Sequence, residues 1–293
     1  MKTLYAGSCK TLLFAGTALV MFVNSLPAQD PGTNQTFEQV VSGMKPIRWY
    51  DFRAGGNVSN LNALAQYFNP YGIAGTTPTH QEWERYQPFN SDNFRFKPDG
   101  LYLTATLPSW GGMWEGGIAS GQIWTQEGFR PGVTGYNTYA MLVRMKVPHI
   151  AGEWSQCWLY SRDWWGNDGS EIDNPEIMNS LWQTQYNWTG YNHGPGAGNI
   201  FFDRRNNPWV WTPGTDFSYD YQDFELVWTP DATYKYVDGQ LVLGQQFWWT
   251  ASSPAQLGIG LAVGSWEIPG LIPLNWGDFP ASVAVQYVGM WAK

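Results

Sequence analysis

Short runs that alternate apolar and polar residues, closed off by Gly, Pro and Asp, recur through this 293-residue chain and point to stacked β-sheets. From Tyr139 to Val147, Met141, Val143, Met145 and Val147 share one face. Leu101 to Thr106 alternates after the turn Pro98-Asp99-Gly100. Tyr234 to Val237 meets Leu241 to Leu243 across Asp238-Gly239, a dipeptide suited to a tight hairpin. Ala281 to Trp291 alternates again. Helical spacing is confined to Asn60–Phe68, with Leu61, Leu64, Ala65 and Phe68 on one face. Many short strands with Gly/Pro turns predict an all-β sandwich or barrel, and a β-sandwich of two antiparallel sheets fits best. The Gly and Pro residues are scattered rather than clustered into a linker, so residues 46–293 read as one domain.

The beginning of the chain reads differently. Lys2 and Lys10 precede an apolar run from Leu12 to Val23, and Ser25, Leu26, Pro27 and Ala28 follow. This is the order of a secretory signal peptide over residues 1–28, and the run is shorter than the roughly 20 residues of a spanning helix. A retained anchor is the alternative. Removal of the signal predicts a secreted or periplasmic protein with no membrane attachment. Residues 29–45 are polar and without periodicity, which reads as a flexible lead-in. Cys9 leaves with the signal, so Cys157 has no partner for a disulfide within the chain. Stability must then come from a large core, and about 265 residues suffice for one.

Composition narrows the partners. Charged residues make up 14% of the chain, against about 25% in a typical soluble domain. Aromatic residues make up 17%, with 19 Trp among them. The net charge is −8, and loss of Lys2 and Lys10 with no acid takes it to −10, which disfavours nucleic acid. His80, His149 and His193 lie far apart and no Cys/His cluster has zinc spacing, so no metal ligand set and no cofactor is expected. No phosphate-cradling loop or Gly-x-Ser-x-Gly elbow is present. The profile suits a neutral polymer with apolar faces, such as a polysaccharide, bound by a monomer.

Glu171, Asp173 and Glu176 place three carboxylates within six residues of this charge-poor chain. In a strand, Glu171 and Asp173 share a face opposite Ile172, whereas Glu176 is out of phase. A one-residue bulge brings it back, and Pro175 supports one, because proline inside a sheet sits at edges or bulges. Three acids on one face repel unless one holds a proton. Two carboxyls about 5–5.5 Å apart suit retaining glycoside hydrolysis, one as nucleophile and one as general acid/base. A solvated acidic turn or a calcium loop is the competing reading.

The motif Glu171-Ile172-Asp173-Asn174-Pro175-Glu176 resembles the signature of glycoside hydrolase family 16, in its bulged laminarinase- and agarase-like branch. Further blocks resemble that family in order: Gln81-Glu82-Trp83 with Tyr86, Ser120 to Thr125, Arg144 to Pro148, Gly152 to Leu159, Trp228 to Gly239, and Leu261 to Gly264 with Trp266. The resemblance implies a concanavalin-like jelly roll with a concave glycan cleft. It implies Glu171 as nucleophile, Asp173 as electrostatic helper and Glu176 as acid/base. Gln122, Trp124, Trp158, Tyr160, Trp165, Asn187 and Trp266 would then line the cleft. Structural calcium occurs in such folds but is not readable in this sequence. Asn174-Pro175, Gln222 and Gly260 depart from the family pattern.

The activity this implies is that of a secreted retaining endo-β-glycanase acting on a neutral polysaccharide, with β-1,3 or β-1,3-1,4 glucan preferred. Tyr160-Ser161-Arg162-Asp163 is agarase-like, which keeps an agar-type galactan open. Arg204-Arg205 reads as a solvated loop rather than an anion patch. A transglycosylase of the same fold and a non-catalytic glycan-binding sandwich are the other readings.

Overall fold

The computed structural model describes residues 35–71, 82–112, 117–161, 169–179, 184–187, 190–192, 216–265, 271–273 and 275–293. One antiparallel sheet runs, in spatial order, β15 (Gln240–Gln246), β14 (Ala232–Val237), β13 (Gln222–Trp228), β8 (Tyr139–Lys146), β17 (Ala281–Ala292), β5 (Gly100–Ala105) and β4 (Phe94–Lys97). The strand β1 (Lys45–Asp51) also pairs with β17. The second antiparallel sheet runs β11 (Thr184–Asn187), β10 (Ser170–Asn179), β9 (Glu153–Ser161), β16 (Ala255–Val263), β7 (Gln122–Thr125) and β2 (Phe68–Asn69), with β12 (Gly190–Asn192) on β10. A short parallel pair, β3 (Glu84–Tyr86) and β6 (Ile118–Ser120), stands apart. Among the described residues no helix is long and apolar enough to cross a membrane.

The predicted two-sheet sandwich is what the chain forms, and alternation explains how. Met141, Val143 and Met145 of β8 and Phe224, Leu226 and Trp228 of β13 face Cys157 and Leu159 of β9 and Leu257, Ile259 and Leu261 of β16 in one buried cluster. Burial of an aliphatic side chain of this size contributes about 1.5–3 kcal/mol, so this layer carries most of the stability. The Asp238-Gly239 hairpin forms as expected, with φ of 48° and 79° at its two central residues. The helical stretch is α2 (Leu61–Tyr67), capped by the Asn60 side chain on the Ala63 N–H at 3.0 Å. Leu64 and Phe68 face the core, whereas Ala65 is exposed.

Two expectations need correction. The alternation of residues 281–291 is not continuous: Val283 and Val285 face the core, then Val288 and Met290 do. A register shift between Val285 and Tyr287 opposite β8 changes the phase. The stretch 29–45 is also not wholly a flexible lead-in. Phe37–Val41 form a short helix, α1, with a reciprocal cap between Thr36 and Gln39, and Lys45 already belongs to β1. Phe37 is buried on the outer face of the first sheet, 5.8 Å from the rings of both Tyr236 and Trp291. Its N–H donates to the Gly239 carbonyl at 3.0 Å, which ties the segment to the hairpin.

Candidate active site

The acid row lies on β10. Ile172 and Ile177 point into the core, so the strand's other face carries Glu171, Asp173 and Glu176. Opposite β9 the register runs Glu171 to Tyr160, Ile172 to Leu159 and Asp173 to Trp158, then shifts, and Glu176 meets Gln156. The shift falls at Asn174-Pro175, where sequence parity requires it. Each of the three acids places a carboxylate oxygen within 4.8 Å of the other two, and all three are buried. The Trp154 indole N–H donates to Glu176 Oε1 at 3.0 Å, which fixes one oxygen of that carboxyl.

Beside the acids, the second sheet builds a floor in cross-strand rows. Asp173 of β10 is followed by Trp158 of β9, Gly258 of β16 and Trp124 of β7. Glu176 is followed by Gln156, Gly260 and Gln122. The two glycines matter through what they omit. A Cβ on Gly258 would lie 2.7 Å from the Trp124 ring, and one on Gly260 would lie 2.9 Å from Gln122 Cβ. The bare Gly258 leaves room for the Trp124 ring, which meets Trp158 at 5.1 Å, and Tyr160 follows 4.9 Å from Trp158. The Trp124 indole donates to Gln122 Oε1 at 2.9 Å.

Gln122, Trp124, Trp158 and Tyr160 thus come together beside the acids. Asn187 pairs in backbone register with Glu176. Trp165, Trp266 and Arg204-Arg205 lie outside the described residues. Trp248 is exposed and Trp249 buried in the stretch that follows β15. Reasoning from sequence missed Gln156, Gly258, Tyr86 and Lys235. Gln156 has the strand parity of Trp158, and that parity was the available signal.

The electrostatics follow from burial. The Tyr160 hydroxyl is pushed well up, first by burial and then by Glu171. The Cys157 thiol is raised likewise by burial and then by Asp173. Lys235 is wholly buried on β14. Tyr234 and Tyr236 pack on the outer face, so Lys235 lies on the inner one, with Leu226 and Leu243 as register neighbours. Burial pulls its ammonium down from 10.5 to about 7, and Asp173, Glu176 and Glu171 oppose the drop.

The folded chain disfavours the charged amine, so the cost is full below the folded value and vanishes above the unfolded one. Stability should therefore rise with pH between about 7 and 10.5. Urea unfolding of wild type against Lys235→Met should show an extra wild-type slope of about 1 kcal/mol per pH unit in that window. Parallel slopes would refute the assignment.

Residues 127–267, which include the acid row, match glycosyl hydrolases family 16. No curated protein matches the chain significantly. Among solved structures, an endo-β-1,3-glucanase from Pyrococcus furiosus is 23% identical at a TM-score of 0.61, covering 85% of this chain and 94% of that one. An endo-1,3-β-glucanase from Streptomyces sioyaensis is 19% identical at 0.62, covering 85% and 96%. The laminarinase catalytic domain of Thermotoga maritima is 20% identical at 0.59, covering 85% and 98%. These likenesses establish the jelly-roll sandwich.

Proposed function

This chain carries a glycosyl hydrolase family 16 domain, and from that premise we infer that it is a retaining endo-β-glycanase acting on a neutral polysaccharide, with β-1,3 or β-1,3-1,4 glucan preferred. The observation that carries this reading is the compact acid row on β10. Inverting enzymes hold their carboxyls about 6.5–9.5 Å apart to admit water, whereas retaining ones need about 5–5.5 Å for direct attack. The spacing here supports the second. Glu171 attacks the anomeric carbon and forms a glycosyl ester. Glu176 donates a proton to the departing glycosidic oxygen, then takes one from the water that cleaves the ester. Asp173 sits between them and shares a proton, which keeps three adjacent charges from coexisting.

The substrate class rests on the floor beside the acids. Trp158, half-buried, offers an apolar face to sugar C–H groups, with the buried Trp124 and Tyr160 rings packed against it, and Gln122 offers an amide to hydroxyls. These side chains are uncharged, and the net charge of −8 disfavours sulfated or carboxylated glycans. The solved structures named above act on β-1,3-glucan, which agrees. Export after loss of residues 1–28, to the periplasm or the medium, completes the proposal.

A reducing-sugar screen over laminarin, mixed-linkage glucan, agarose and carrageenan tests it. Release from laminarin or mixed-linkage glucan is expected, with the β-anomer appearing first by NMR. An α-anomer from a β-linked polymer would overturn retention, cleavage of agarose alone would move the substrate to galactans, and silence on all four would leave a binding module. Products longer than the starting oligosaccharide would mark a transglycosylase.

A further inference from the structure

Gln156 has a place in the site that the acid row alone does not reveal. It stands on the cleft face of β9, in register with Glu176 on one side and with Gly260 on the other. It is buried, and so is the Tyr86 hydroxyl beside it, which donates to Gln156 Oε1 at 3.4 Å. Tyr86 belongs to the short parallel pair β3–β6, outside the two sheets. Its hydroxyl also lies against the Glu84 carboxyl, whose Oε2 accepts from the Val263 N–H at 2.9 Å. Burial, and then Glu82, pushes Glu84 well above the usual carboxylate range. The hydrogen bond from the Tyr86 hydroxyl to Gln156 Oε1 sets which end of that amide faces the wall.

Across the glycine gap, Gln122 is held by the same logic. An indole N–H only donates, so the Gln122 atom 2.9 Å from Trp124 Nε1 must be the amide oxygen. Both glutamines therefore spend their oxygens on the walls. Gly260 lies between them in the row and has no side chain to separate their NH₂ groups.

We propose that Gln156 is a specificity-determining residue that donates its amide N–H to a sugar hydroxyl beside Glu176, paired with Gln122 across Gly260, and that Tyr86 is the positioning residue that fixes the orientation of its amide. This deepens the glycanase reading and rests on it. An amide pair turned this way rejects a ligand that offers only donors and selects sugar oxygens able to accept.

The test uses Gln156→Met, which keeps the length of the side chain and removes both donors, Tyr86→Phe, and the double variant. Binding is measured by calorimetry in the Glu171→Gln background, with laminaritetraose or the tetrasaccharide of whichever polymer the screen selects. Gln156→Met should weaken binding about tenfold and Tyr86→Phe about threefold. Since Tyr86 acts only through Gln156, the double variant should bind no more weakly than Gln156→Met. In active enzyme the same losses should appear in kcat/KM, with thermal midpoints near that of wild type. Unchanged binding in Gln156→Met, or losses that add in the double variant, would overturn the inference while leaving an active glycanase. A parent that neither binds nor cleaves any of the four polymers would overturn the glycanase reading itself.

Discussion

Glu171→Gln is expected to lower turnover by roughly four orders of magnitude, about 5 kcal/mol of barrier, while glycan binding persists. The substitution keeps the size and shape of a buried side chain and removes the charge that makes it a nucleophile. Without an attacking carboxylate, no glycosyl ester forms and the second step has no substrate. The same change removes one negative charge from three acids whose oxygens lie within 4.8 Å of one another. Relief of that repulsion should leave the thermal midpoint equal to or above that of wild type. Turnover on the polymer found in the screen, calorimetry with its oligosaccharide and a melting curve give the three readouts. Wild-type turnover would remove Glu171 from the mechanism, and a collapsed melting curve would mean that the loss of activity reports on folding.

The second large effect concerns Glu176. Glu176→Gln retains an oxygen for the Trp154 N–H, so the wall of the site keeps its hydrogen bond. What it loses is the proton for the departing sugar. Cleavage of a polysaccharide, whose leaving group is an alcohol, should fall about 10²–10⁴-fold. Cleavage of a dinitrophenyl glycoside needs no such proton, and its first step should stay within about tenfold of wild type by the same argument. The contrast between the two leaving groups is the signature of an acid/base. Equal losses on both would show that Glu176 supports the site in some other way.

The strands and the acid row were legible in the sequence because both are written locally. Period-two alternation is a property of neighbours in the chain, and so is the parity argument that needs a bulge at Asn174-Pro175. The floor was less legible. Trp124, Gly258 and Trp158 stand in one row because three strands far apart in sequence adopt one register, and no local pattern states that register. Gly260 departs from the family pattern, and its reason is spatial, because the Gln122 side chain fills the place beside it. Lys235 hid for the opposite reason: a lysine in an alternating strand reads as surface, although the parity of Tyr234 and Tyr236 places it inside. The Thr36-x-x-Gln39 spacing did carry a capping signal, but a helix as short as α1 has too few residues to show a period.

β17 gives the first sheet an unusual dependence on order of synthesis. One edge of it pairs with β8, and the other is shared by β5 and β1, so that residue 45 meets residue 292. Until residues 281–292 have been made, β8, β5 and β1 have no common neighbour, and their edges remain open. Such long-range pairing slows folding, and open edges invite association with other chains. The nascent protein must therefore pass an interval in which the sheet that backs the site lacks its centre.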